Sequence, residues 1–316
     1  MSQHAGYRGG VIRIHPEVAD ALRRGIAVVA LESTISSTLG LPVPANAEVV
    51  ARCSSAIRSR GGVPALTAIL DGVATIGIDD SDLPRVLLAT RKTAERDVPI
   101  AVAEKWDVGV TTVSGTLALC VAAGVRVFAT GGMGGVHRHD HLSGDVSADL
   151  ASISRSPVVT VTAGAKAFLD LPKTVELLDS MSVPVLGFAT DYFPAFYSRS
   201  SGVPIHHRVE SAEQAAAIAA ARWSLGGGGL VLANPIPTAA EITADEIDPV
   251  IEEALLHAAS SNVRGAALTP FVLGRIAEVT QGRSIPANLA LAENNASVAT
   301  DVARALIELG WPTPTA

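Results

Sequence analysis

The sequence predicts an α/β fold, a three-layer α/β/α sandwich around a mixed, largely parallel central sheet. Short Val/Ile-rich runs that are apolar throughout, rather than alternating, mark strands covered on both faces. Segments with apolar residues at helical spacing separate them, and strands alternating with helices build parallel sheets. In chain order the runs are 26–31 (IAVVAL), 125–130 (VRVFAT), 158–162 (VVTVT), 183–190 (VPVLGFAT) and 229–233 (GLVLA). The first helical segment is 46–60, with Val49, Val50, Cys53 and Ile57 at helical spacing before the Gly61-Gly62 stop. Residues 113–123, 163–181 and 212–225 read the same way. Residues 65–78 (ALTAILDGVATIGI) differ, because Asp71-Gly72 between two apolar runs predicts a tight hairpin and so a mixed sheet. Beyond about residue 243 only helical patterns are expected, as far as Gly310.

Apolar residues fill 48% of the 316 positions and charged ones 17%, below the ~25% of an ordinary soluble protein. Aromatics are only 4%, so the core has to be built from Ala, Val, Leu and Ile. This composition excludes intrinsic disorder. A formal charge of −7, without basic stripes interleaved with aromatics, argues against a nucleic-acid polymer as partner. No uncharged apolar stretch reaches the ~18 residues of a membrane span. The first residues, MSQHAGYRGGVIRIHPEV, lack the apolar run of a signal peptide. Cys53 and Cys120 each lie in an apolar helical pattern and read as buried thiols, so a cytoplasmic protein without a disulfide scaffold is expected. With neither internal repeat nor Pro/Ser linker, residues 1–316 are expected to form a single catalytic domain. The low charge for this length hints at surface covered by other subunits.

Open α/β sheets bind ligands outside the carboxyl ends of their strands, which is where reactive side chains are sought. Glu32 directly follows IAVVAL, beside Ser33 and Thr34, and is either a general acid or base or an exposed capping residue. Lys166, in VVTVTAGAKAFLD, follows a buried strand and has no charged residue within three positions. An ammonium in such apolar surroundings loses hydration, which leaves an amine able to attack a carbonyl carbon; an ordinary lysine would sit on a charged helix face.

The Gly-rich segment 128–149 (FATGGMGGVHRHDHLSGDVSAD) can turn backbone N–H groups from Thr130 to Gly135 toward a phosphate. It misses the dinucleotide fingerprint, because His137 occupies the third glycine position, and no GxxxxGK(S/T) motif occurs. Asp145 and Asp149, four apart, are expected to share one face of a first helical turn and could hold a hard divalent ion. His137, His139, Asp140 and His141 lie in the same segment without a CxxC or HExxH pattern, and read as loop residues of which at most one meets the ligand. Lys92 and Arg96 either clamp a phosphate or are plain helix-surface charge. Asn288, Asn294 and Asn295, on an apolar helical pattern, are either satisfied core amides or readers of a polar ring.

In order along the chain, ALESTI, LPVPANAE, FATGGMGGVHR, DVSADL, TAGAKAFLDLPKTVELL, VPVLGFATDYFPAFYSRSSG, LANPIP, LTPFVLGRIAEVTQG and NLALAENNA resemble the pseudouridine-5′-phosphate glycosidase family. That family includes the indigoidine synthase A-like proteins and related C-glycosynthases. The resemblance runs from about residue 12 to 308, and ATGGxGGVHR followed by DxSAD and AGAK is specific in combination. It implies a reversible C-glycosidase between pseudouridine 5′-phosphate and uracil plus ribose 5-phosphate, an α/β/α sandwich, a homotrimer, and a divalent metal ion, Mn²⁺. Glu32 matches the family's proton donor and Lys166 its covalent nucleophile. Asp145 matches the metal ligand, and Ser147, Ala148 and Asp149 match substrate contacts. Lys92 and Val113 align with further substrate-binding positions, and Asn288 with a base-contacting amide. Thr130 and His137 of the Gly-rich segment are expected at the substrate as well.

The chemistry agrees with the residues. O-glycosidases use two carboxylates because their leaving group is an oxygen. A carbon leaving group would depart as a carbanion. If Glu32 helps open the ribose ring and Lys166 bonds to C1′, the nitrogen lone pair can expel a C5-protonated uracil, and the imine is then hydrolysed. The sequence also departs from the family. SSTLGLP, with an apparent one-residue insertion, stands where SHGMP is usual, and NPIPT replaces NPIPE. Glu95 takes the place of a basic residue before Arg96, and His139 and Asp140 replace small residues after GGVHR. The loops around the nucleobase are thus altered, which keeps open a C-glycosynthase joining ribose 5-phosphate to an aromatic acceptor. A Schiff-base aldolase or lyase would also use Lys166, whereas a non-catalytic binding protein would place no demand on it.

Overall fold

The computed structural model describes residues 10–138, 144–263 and 265–311. Its strands are β1 (Ile12–Ile14), β2 (Val28–Leu31), β3 (Val63–Leu70), β4 (Val73–Ile76), β5 (Lys92–Thr93), β6 (Val108–Thr111), β7 (Val127–Ala129), β8 (Val136–His137), β9 (Val159–Thr162), β10 (Leu169–Asp170), β11 (Val185–Phe188), β12 (His207–Val209) and β13 (Leu230–Ala233). The helices are α1 (Pro16–Arg23), α2 (Ala45–Ser59), α3 (Leu83–Leu87), α4 (Val98–Ala103), α5 (Val113–Ala123), α6 (Ala148–Arg155), α7 (Leu171–Ser180), α8 (Ala212–Ser224), α9 (Ala244–Ser260), α10 (Leu268–Val279) and α11 (Ser284–Glu308).

The middle layer is a parallel sheet in the order β3-β2-β7-β9-β13-β11-β12. Every residue of β2, β9 and β13 is buried, as continuous apolar runs require of strands covered on both faces. Strand β3 takes part in two pairings. Val63–Leu66 run parallel to β2, whereas Thr67–Leu70 run antiparallel to β4 and Ala68–Leu70 antiparallel to β6. Strand β1 extends β4 and β5 extends β6, both in parallel. The expected hairpin is present: Asp71 (φ 53°) and Gly72 (φ 75°) both adopt the left-handed conformation that a two-residue turn between twisted strands demands. The sheet is mixed for this reason.

Helices α2, α8 and α11 pack together on the sheet, and α5, α6 and α7 form the second group. The long helix α11 lies against β2, β7 and β9. It buries Ala287, Ala292, Ala296, Ala299 and Ala303, and these small side chains let backbone approach sheet closely without large aromatics. Helices α9 and α10 form a hairpin that touches α11. Cys53 and Cys120 are buried free thiols. Among the described residues no helix is long and apolar enough to cross a membrane.

One expectation is corrected. Residues 163–181 are not one helix; only α7, residues 171–180, is helical, and 163–168 leave β9 as a loop. Two local causes fix the boundary. Gly164 (φ 88°) is left-handed, and a Cβ there would lie 2.1 Å from the Pro194 carbonyl oxygen. Asp170 then caps α7 by accepting from Lys173 N–H at 3.1 Å, with Pro172 in the first turn, where its missing N–H costs nothing.

Candidate active site

The carboxyl ends of β2, β5, β6, β7 and β9 open on a cleft of about 500 Å³. Register brings its parts together. Leu31 lies opposite Ala129, and Ala129 opposite Val161, so the residues that follow these strands emerge side by side. Glu32 and Thr130 are such neighbours, and the Thr130 hydroxyl donates to Glu32 Oε1. Glu32 is only 8% exposed. Burial pushes its carboxyl above the usual carboxylate range; Lys166, the Thr130 hydroxyl and Lys92 oppose that rise, and Asp149 adds to it.

Lys166 is half-buried in the loop after β9 and faces the same cleft. Its N–H donates to Met133 O at 3.1 Å and its carbonyl accepts from Leu169 N–H at 2.9 Å. Among the described residues its ammonium has no ion-pair partner within 4 Å. Its charge is nevertheless felt at Glu32, Lys92 and His137, which come from three different strand ends. Lys92, on β5, is held below the usual lysine range by burial first and Lys166 second, with Glu32 and Asp149 pulling the other way.

Two helix N-termini meet at the cleft. Val113 and Ser114 open α5, capped by the Thr112 hydroxyl accepting from Gly115 N–H at 3.4 Å. Ala148 opens α6, where Ser147 Oγ accepts from Asp149 N–H at 3.2 Å. The buried Asp149 carboxylate joins them to the Gly-rich turn, accepting from Ser114 N–H and Gly134 N–H, both at 2.9 Å. Gly134 has no room for a Cβ, which would sit 2.2 Å from Ser147 Oγ. Helix N-termini beside Lys92, Arg91 and Arg96 make this end of the cleft suited to an anion. The expectation that Asp145 and Asp149 share a helical face is overturned. The helix starts at Ala148, Asp145 precedes it, and Asp149 is occupied by backbone N–H groups.

The three asparagines separate cleanly. Asn295 is a core bracket, donating to Thr130 O at 2.8 Å and accepting from Asn234 Nδ2 at 2.9 Å. Asn294 donates to Pro235 O at 3.3 Å. Asn288 borders the cleft, and among the described residues its buried Oδ1 has no hydrogen-bond partner.

The indigoidine synthase A-like family profile matches residues 17–305. The chain belongs to that family. Curated relatives named pseudouridine-5′-phosphate glycosidase include one from Sorangium cellulosum, 47% identical over 302 residues and covering 95% of each chain. Another, from Clostridium botulinum, is 41% identical and covers 94% of this chain and 98% of its own. Among solved structures, the prealnumycin C-glycosynthase AlnA in complex with ribulose 5-phosphate superposes with a TM-score of 0.87 at 32% identity, over 95% of this chain and 98% of that one. An indigoidine synthase A-like protein of Thermotoga maritima gives 0.86 at 34% identity, over 97% and 100%.

Every site residue expected from the sequence of this family member that lies within the described residues is found at the cleft: Glu32, Lys92, Val113, Asp145, Ser147, Ala148, Asp149, Lys166, Asn288 and His137 line it, and Thr130 is bonded to Glu32. His139, Asp140 and His141 lie outside the described residues. His137 Nδ1 is 4.0 Å from an Asp145 carboxylate oxygen. Burial holds the His137 imidazole below its usual range, with Asp145 opposing and Lys166 reinforcing. Among the described residues no group of three or more His, Cys, Asp or Glu side chains converges on one point.

Residue-by-residue reading missed Thr112, Ser114 and Phe196, as well as Thr269 and Leu273 in the first half of α10. A Thr placed just before an apolar helical run was an available capping signal for Thr112. Phe196 carried no such signal. It holds φ 65°, and its ring lies where a Cβ on Gly132 would approach within 2.4 Å.

Proposed function

We propose that the protein makes and breaks the C–C bond between ribose 5-phosphate and uracil: pseudouridine 5′-phosphate plus water gives uracil plus ribose 5-phosphate. Relatives covering nearly its whole length carry this activity in their names, and the chain is an enzyme of their kind. The observation that carries the reading is the convergence of a buried carboxyl with a raised proton affinity, Glu32, and a lysine lacking an ion-pair partner among the described residues, Lys166, in one cleft with an anion-binding end.

In this mechanism Lys92 and the N-termini of α5 and α6 hold the 5′-phosphate, which fixes C1′ between Glu32 and Lys166. Glu32 gives its proton to the ring oxygen as the C1′–O4′ bond breaks, the uracil ring supplying the electrons. Lys166 Nζ, as the free amine, then bonds to C1′. Once C5 of the base takes up a proton, the nitrogen lone pair pushes out uracil and the C1′–C5 bond breaks. The remaining iminium adds water, ribose 5-phosphate leaves as its aldehyde, and the amine is restored. Asn288 Oδ1, buried and without a partner among the described residues, is matched by an N–H of the base.

Asp145 with the neighbouring His137, an oxygen donor and an imidazole at the rim of the cleft, suits a divalent ion such as Mn²⁺ that keeps most of its water. Such an ion supplies positive charge to neutralise the substrate's anionic groups. A homotrimer belongs to the same reading. Val43 and Leu88, 71% and 68% exposed, lie on segments linked by the Asn46 Nδ2 bond to Leu87 O and offer apolar surface for it.

The test is release of uracil from pseudouridine 5′-phosphate with Mn²⁺, followed by ultraviolet absorbance, together with borohydride trapping. A ribose phosphate adduct on Lys166 is expected. An adduct elsewhere would refute the lysine assignment, and full activity after chelation would refute the metal. A second reading, C-glycosynthesis onto an aromatic acceptor, is favoured by one observation: Leu39, Phe196 and Leu273 give the cleft an apolar wall. Ribose 5-phosphate ligation to phenolic acceptors in preference to uracil would decide for it.

A further inference from the structure

Lys166 stands on a thin wall. In front of its loop is the catalytic cleft, which Lys166, Phe168 and Leu169 line. Behind it is a second cavity of about 510 Å³, bordered by Arg138, Ala167, Leu169, Asp170 and Ser200. Ala165, Ala167, Phe168 and Leu169 are buried and Lys166 N–H is bonded to Met133 O, which fixes the front of the loop, but the Ala167 and Leu169 carbonyls on its rear side need donors of their own. Arg138 supplies them. Its Nη2 donates to Ala167 O at 3.2 Å and its Nε points to Leu169 O at 3.5 Å. Its Nη1 pairs with Glu252 of α9. One planar guanidinium therefore spans the end of β8, the carbonyls flanking the lysine loop, and the α9–α10 hairpin, whose Thr269 and Leu273 form part of the cleft wall.

We infer that Arg138 is a positioning residue: it fixes the Lys166 loop, and hence Nζ, relative to C1′, and ties that position to the α9–α10 hairpin. The inference rests on Lys166 being the nucleophile. Arg138 borders the rear cavity and, among the described residues, bonds to Ala167, Leu169 and Glu252 and not to the anion-binding end, so its loss should act on the chemical step and leave binding intact. A misplacement near 1 Å costs about 10²-fold in rate.

The experiment measures kcat and KM for pseudouridine 5′-phosphate in Arg138→Ala, Arg138→Lys and Lys166→Ala. Arg138→Ala should lose about 10²-fold in kcat with KM little changed. Because the rear cavity opens next to the deleted side chain, guanidinium at a sub-denaturing concentration should restore much of the rate, and methylammonium should not. A purely structural role would not give that selectivity. If Arg138→Ala fails to fold, Arg138→Lys, which keeps the charge and a single donor nitrogen in place of the planar fork, is expected to fold and show a smaller fall in kcat alone. Unchanged kcat in the folded variants, or a loss carried in KM and insensitive to guanidinium, overturns the inference. Lys166→Ala separates the two levels. If it is inactive while Arg138→Ala is unimpaired, only the positioning role fails; if it remains active, the reading of Lys166 fails and this inference with it.

Discussion

Two buried carboxylates face the same cleft and are treated in opposite ways. Asp149, 5% exposed, accepts two backbone N–H groups at 2.9 Å. Glu32, 8% exposed, has a threonine hydroxyl and, among the described residues, no backbone donor at its carboxylate, and burial raises its proton affinity. The same contrast recurs along α11. Asn295 is fully bonded between Thr130 and Asn234, while Asn288, two turns earlier, has a buried Oδ1 without a partner among the described residues. Groups that shape the cleft are satisfied by the fold. Glu32, Lys166 and Asn288, read as acting on the substrate, have fewer partners among the described residues, at a cost to stability, so that the substrate can complete them.

The largest effect is expected at Lys166. Lys166→Ala should lower turnover by several orders of magnitude without lowering the melting temperature, and Lys166→Arg should be equally inactive because a guanidinium stays protonated. Steady-state kinetics with calorimetry check both halves; a marked loss of stability in Lys166→Ala would break the comparison. Next is Lys92→Met, which removes a charged donor worth ~1.5–3 kcal/mol. It should raise KM for the phosphorylated substrate by about 10- to 150-fold and leave kcat largely intact. Equal KM in parent and variant would remove Lys92 from the phosphate.

On the satisfied side the loss should appear in stability. Asp149→Asn turns an acceptor into a donor facing an N–H, which strands that group at ~1–3 kcal/mol. Its melting temperature should fall and KM rise together, since the same carboxylate ties α5 to the Gly-rich turn. Asn295→Ala should destabilise by a similar ~1–3 kcal/mol by orphaning Thr130 O and Asn234. Asn288→Ala should leave stability unchanged or improved while weakening recognition of the base. Equal destabilisation by the two asparagine variants in chemical denaturation would sink the distinction.

Much of this architecture was legible in the sequence. The continuous apolar runs gave β2, β7, β9, β11 and β13 because strands buried on both faces admit few polar residues, and Asp71-Gly72 gave the hairpin through its backbone conformation. Strands β5, β8 and β10 were not legible, being two residues each and defined by long-range partners such as β6 for β5. The loop at 163–168 was misread as helix because its Ala-rich pattern fits helical spacing, and the opposing constraint, the Pro194 carbonyl against Gly164, comes from 30 residues further on. Glu32 and Lys166 stood out from their positions at strand ends. The family resemblance supplied their roles and those of Val113 and Asn288. The pairing of Asp149 with Ser114 and Gly134 required the folded chain.

The smallest effect tests the cost of leaving Glu32 unsatisfied. Its folded-state proton affinity is raised, with burial as the largest cause and Lys166 and Lys92 opposing it. In the unfolded chain the carboxyl ionises in the usual range, while the native state still holds its proton. Above that range unfolding therefore releases a proton, and rising pH favours the unfolded state until the native carboxyl also ionises and the loss levels off. The slope for one such group cannot exceed ~1.4 kcal/mol per pH unit. Glu32→Gln abolishes this dependence. Relative to the parent, its melting temperature should show the least advantage at acid pH and gain with rising pH, reaching a plateau, even though the variant lacks the proton donor. Calorimetry across that range checks it. Parallel curves for parent and Glu32→Gln would mean that Thr130 and the two lysines already compensate Glu32 in full, and that the contrast with Asp149 lies only in which partners satisfy each carboxylate.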